Sequence, residues 1–176
     1  MNYVRISCAV LLLIYGASAH LQSAVQPEIP APEKARIASL AQQALSAKDI
    51  TQAQYQSTMT YLNSRPCVGV DRALSKVRKA KLSAVIAKQE GVKKLEVLAS
   101  FRFEAWHILY IAQENADDNF LFYAGEPLTS KPKGTWSGGA SIFESAEIQK
   151  WVSTNVTGIP LPLASCFAWH VTLNRR

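Results

Sequence analysis

Cysteine is scarce in this chain, with three in 176 residues. None forms a C-x-x-C pair, and the histidines (His20, His107 and His170) form no H-x-x-x-H. The spacing that zinc sites use is therefore missing. No G-x-S-x-G stands in the sequence, which removes the nucleophile elbow of the α/β-hydrolases. Acidic residues are the minority, 13 against 19 basic. The cluster Glu114, Asp117, Asp118 and Glu126 lacks the spacing and glycine of an EF-hand. Beyond residue 15 no run is long and apolar enough to cross a bilayer. Internal repeats and low-complexity tracts are absent too, so solenoids and fibrous assemblies are excluded. No cofactor is expected.

What is present begins with an address. Residues 1–19 carry Arg5, an apolar stretch from Ile6 to Tyr15, and Ala17-Ser18-Ala19, the anatomy of a secretory signal peptide cleaved after Ala19. The residues ahead of Cys8 do not form a lipobox. A periplasmic or secreted protein is the expectation. In such an oxidising compartment Cys67 and Cys166 are expected to form one disulfide. Cleavage after Ala19 would also place His20 at the mature N-terminus, where amine and imidazole suit copper; nothing after it adds a ligand.

The rest of the chain is organised around Leu95 to Tyr123. Phe101, Phe103, His107, Leu109 and Ile111 alternate with Arg102, Glu104, Trp106, Ile108 and Tyr110, a period-2 pattern that predicts a strand on a core. Polar residues 113–119 supply a turn, and Phe120 to Tyr123 returns. Ahead of this lie a proline-spaced leader, residues 20–32, and three helical patterns within 33–90. Ile37, Leu40, Ala41, Ala44 and Leu45 form the first apolar stripe. Thr51 and Gln54 make a capping box for the second helix, with Tyr55, Met59 and Leu62 on its apolar side. Asp71 is the expected cap of a third, burying Leu74, Val77, Val85 and Ile86 and stopping at Gly91. Ser141 with Glu144 caps a fourth over 141–155 that buries Trp151. Residues 163–173 alternate once more and predict a final strand. The fold class is α+β: an antiparallel sheet of three to five strands covered by about four helices, in one domain over 33–176, with strands in 94–124.

Charge is concentrated between Asp71 and Lys94, where eight basic residues, among them Arg78 and Lys79, face Asp71 and Glu90. A basic helix suits an acidic protein or, at most, peripheral contact with an anionic membrane. Nucleic acid is not expected, because no aromatic residue interleaves these lysines to stack bases. Gly134 to Ser141 imitates a phosphate loop, but Ala140 stands where the lysine is required. Its amides, at Gly138 and Gly139, remain candidates for an anion or peptide contact.

Two carboxylate or imidazole sites deserve weighing for catalysis. Glu104 beside Trp106 and His107 has the residue types of a wall-cleaving acid, with His107 or His170 as partner. Cys166 and His170, four apart on a predicted strand, would stand roughly 13 Å from each other and form no dyad. The expected function is therefore non-catalytic: an exported binding protein of the inhibitor or immunity type that neutralises an envelope enzyme. Trp106, Glu104, Trp136, Gly138, Gly139, Arg78 and Lys79 are its candidate contacts. A small polysaccharide hydrolase using Glu104 is the alternative, and an envelope assembly factor the second.

Overall fold

The computed structural model describes residues 29–114 and 117–173; the predicted signal peptide and most of the leader, with His20, lie outside them. The expected α+β architecture is present, with five helices and a four-stranded antiparallel sheet.

Helix α1 (Ala31–Ala47) opens with Pro32 in its first turn, where a missing N–H costs nothing, and buries Ile37 and Ala41. Helix α2 (Gln52–Asn63) carries the Thr51–Gln54 capping box and turns Thr58, Tyr61 and Leu62 inward. Helix α3 spans Lys76–Glu90, with the Ser75 hydroxyl accepting the Arg78 N–H. Asp71 is thus not its cap. Its backbone pairs with Arg102, while its carboxylate accepts the Ala73 N–H at 2.8 Å. Its buried residues are Leu82 and Ile86, and Val77, about 140° round the helix from Leu82, is exposed.

The sheet is a meander of β1 (Leu95–Phe103), β2 (Trp106–Gln113), β3 (Asn119–Ala124) and β4 (Gly134–Ser137). The long strand expected through residues 101–111 is in fact a hairpin, with Glu104-Ala105 between the paired Phe103 and Trp106. A two-residue turn returns its flanking residues to the same face. The alternation therefore inverts there: Phe101 pairs with Ile108, and Arg102 with His107. Phe101, Ile108, Phe120 and Phe122 share one core with the C-terminal helix, and Val97, Leu109, Ile111, Leu121 and Tyr123 share another with Leu82 and Ile86 of α3. Covered on both sides, β3 reads as an unbroken apolar run, Phe120 to Tyr123. Leu98, at the register shift of β1, is turned outward.

Helix α4 covers Ser145–Asn155. It begins after the Ser141–Glu144 turn, in which the Glu144 carboxylate accepts the Ser141 N–H. Trp151 lies on its exposed side, not in the core. Residues 163–173 correct the expected final strand: they belong to helix α5 (Leu161–Leu173), buried from Leu163 to Leu173 with the exception of Ser165. Burial all round erases the amphipathic signal, so the apparent alternation carried no information about period. Phe167 of α5 meets Phe120, Phe122 and Trp136 with ring centroids 5.0, 5.1 and 5.5 Å away. The Cys67–Cys166 disulfide joins α5 to the segment between α2 and α3.

Candidate functional site

One end of the sheet gathers the chemistry. At its tip, Glu104 takes φ 53°, a left-handed conformation that costs a residue with a Cβ roughly 1–2 kcal/mol. The turn is held from two sides. The Ala105 carbonyl accepts the Gly125 N–H at 2.8 Å. The half-buried Trp106 ring lies under Gly158, where an added Cβ would sit 3.5 Å from it; Gly158 itself has φ 84°. Glu104 is exposed at this tip.

Beside the tip, on the α3 side of the sheet, is a polar cleft of about 130 Å³ lined by Asp71, Ala73, Arg78, Ser100, Arg102 and His107. Two ion pairs flank it. Arg102 Nη2 donates to Asp71 at 2.6 Å, and Arg78 Nη2 donates to both Glu126 oxygens at 3.0 Å. His107 is 5% exposed, and its Nδ1 has no hydrogen-bond partner among the described residues. Burial holds the imidazole below its ordinary value, with Arg78 and Arg102 pushing the same way and Glu126 and Asp71 opposing. Burial pushes the Glu126 carboxyl up, but Arg78 and the Leu128 N–H together keep it below the usual carboxylate range.

The sheet separates the two histidines. His107 faces the α3 side, whereas His170 on α5 lies against the other face, its ring 4.8 Å from Phe101 and 6.0 Å from Phe120. Glu104 belongs to neither face. The two histidines weighed for acid–base work are therefore on opposite sides of the sheet, with Glu104 in the turn between β1 and β2. Cys166 and His170, four apart on a helix and not a strand, are neighbours on one face, but Cys166 is in the disulfide.

The binding candidates divide as well. Glu104, Trp106 and Arg78 belong to the tip end. Ser137 pairs with Asn119 at the opposite end, and Gly138 and Gly139 follow it. Trp136 is a strand residue packed edge-on against Phe120 and Phe167, not a loop anchor. The glycine-rich stretch thus forms β4 and a turn, and does not run directly into α4. Lys79 pairs with Glu96. Arg72 leaves the basic helix altogether, its guanidinium 5.3 Å from the Phe101 ring centroid; Lys76, Lys81 and Lys88 are exposed along α3.

Sequence reasoning overlooked Ser100 and the pairing of Asp71 and Glu126 with the two arginines. The hairpin turn is the signal for Ser100 and Arg102, since it puts Arg102 opposite His107 and Ser100 opposite Leu109; the Arg78–Glu126 pair joins α3 to the loop after β3 and has no such local signal. Among the described residues no group of three or more His, Cys, Asp or Glu side chains is placed to hold a metal, and no helix is long and apolar enough to cross a membrane. Comparison of the chain with known protein families, with curated proteins and with solved structures finds no match in any of the three.

Proposed function

We propose that the chain is an exported, non-catalytic binding protein that docks on, and inhibits, an envelope-acting enzyme through the tip of the β1–β2 hairpin. The observation that carries this reading is Glu104: a charged residue in a left-handed turn, clamped by Gly125 and the Trp106–Gly158 contact. Strained, rigid display of one side chain is a feature of functional turns, and rigidity lowers the ordering cost of docking. Trp106 at its base is the type of residue that dominates interface energies. The Cys67–Cys166 bridge supports an oxidising compartment. The hydrolase alternative pairs Glu104 with a histidine, whereas His107 is buried on the α3 side of the sheet and His170 packs against Phe101 on the other.

The test is inhibition at fixed stoichiometry. The mature protein, retained on a column, is expected to capture one wall-degrading enzyme from an envelope extract of its host and to suppress that enzyme's turnover. Glu104→Lys, folded by circular dichroism, should lose both. Cleavage of wall polysaccharide by the protein itself, abolished in Glu104→Gln, would replace this reading with the hydrolase.

A further inference from the structure

We infer that the cleft beside His107 is a binding site for a single carboxylate group. Every wall of the cleft is polar or small: Asp71, Ala73, Arg78, Ser100, Arg102 and His107. At about 130 Å³, and with roughly 30 Å³ per liquid water, it takes roughly four waters, or a carboxylate and the carbon that bears it.

Charge selects an anion. A guanidinium has five N–H donors, and the ion pairs to Asp71 and Glu126 engage Arg102 and Arg78 through Nη2. Each arginine therefore retains donors that a planar, two-oxygen group satisfies best. The first turn of α3, which contributes Arg78, adds the positive end of a helix dipole. A cation would meet two guanidiniums and carboxylates already neutralised by them.

The second observation is His107. A polar atom buried without a partner is costly unless something satisfies it, and Nδ1 of His107, a residue that lines this cleft, has none among the described residues. Arg78, Arg102, Asp71 and Glu126 are the charged groups acting on His107. Entry of an anion favours the imidazolium, so proton and carboxylate bind cooperatively.

The carboxylate has two sources, a small free acid or an acidic side chain of a docking protein. The site stands independently of the role given to Glu104. Acetate titrated at constant ionic strength, with chloride as the compensating anion, tests it through the NMR signals of the His107 ring. The expected result is a saturable shift in the millimolar range, within what so few atoms allow. The His107 midpoint should rise with acetate present, and affinity should increase from about pH 7 to about pH 5.5, inside the histidine range. Arg102→Lys keeps the charge and loses the fork, and should weaken acetate about tenfold, the factor one charge-assisted hydrogen bond carries. Arg78→Lys serves where that variant does not fold. A shift that does not saturate, one that chloride reproduces, or undiminished affinity in a folded lysine variant overturns the proposal. Acetate that displaces a captured partner identifies the partner's carboxylate as the occupant, whereas acetate that binds beside an intact complex assigns the cleft to a free acid. Failure of the acetate titration leaves capture by the Glu104 tip unaffected, so the two readings fail separately.

Discussion

Glu104 and His107 are three residues apart and answer to different physics. At Glu104 the backbone is the issue. With φ at 53°, replacement by glycine removes the Cβ strain of roughly 1–2 kcal/mol, partly offset by the greater freedom of glycine in the unfolded chain. Glu104→Gly should therefore leave urea-unfolding stability unchanged or raised by up to about 1 kcal/mol, while partner inhibition is lost. A variant that loses stability would show that the glutamate side chain supports the fold. At His107 solvation is the issue. Its value lies below the ordinary 6.5 in the folded protein because burial disfavours the charged ring. Above 6.5 both folded and unfolded chains hold it neutral, and it contributes no pH dependence. As pH falls below 6.5 the unfolded chain binds the proton first, so stability is lost until the folded value is passed. His107→Gln should flatten this slope in unfolding curves measured in a buffer free of carboxylates. Equal slopes in both proteins would refute it. The two residues also mark what the sequence made legible. Both stood out by type, but their setting depended on a turn that Glu104-Ala105 does not announce, since the usual Asn-Gly or Asp-Gly signal is missing.

At the scale of elements, legibility followed how many sides of an element meet solvent. Helix α2 has a wet face, and its start is written in Thr51 and Gln54; both hydrogen bonds of the box form. Thr51→Ala should cost about 0.5–2 kcal/mol, read from thermal unfolding. Helix α5 has no wet face beyond its first turn, so its pattern collapsed into an uninformative apolar run. Thirteen residues is long for a strand, and length was the better guide there. The consequence of its central place is energetic. Phe167 is fully buried under three aromatic rings of β3 and β4, so Phe167→Ala should cost about 3–5 kcal/mol. A cost under about 1 kcal/mol would mean that the sheet does not depend on this helix. The third helix shows an intermediate case. Ile86 was legible on its stripe and Leu82 was not, while the competing Asp71–Arg102 backbone pairing moved its start to Lys76.

Across the whole molecule the cross-link decides how these elements depend on one another. Cys67 and Cys166 are 99 residues apart, and the bridge fastens the segment leading from α2 into α3 to the buried helix against which the sheet packs. Closing a loop of that length restricts the unfolded chain by about 4–5 kcal/mol on the chain-entropy account. This is comparable to the whole stability of a marginal domain, about 5–15 kcal/mol. Both cysteines are buried, so removing the bridge by substitution also tests packing. A Cys67→Ala, Cys166→Ala double variant and the reduced wild type should therefore be compared. Each is expected to lose several kcal/mol in urea unfolding, and the reduced protein should recover on reoxidation. The cleft and the tip are positioned by the β1–β2 hairpin and by the Asp71–Arg102 pairing, four residues after Cys67. Loosening the bridge should thus weaken acetate and partner binding together at temperatures where the sheet is still folded. If binding survives reduction unchanged, the hairpin end is held by the sheet and α3 alone, and the disulfide acts only on global stability.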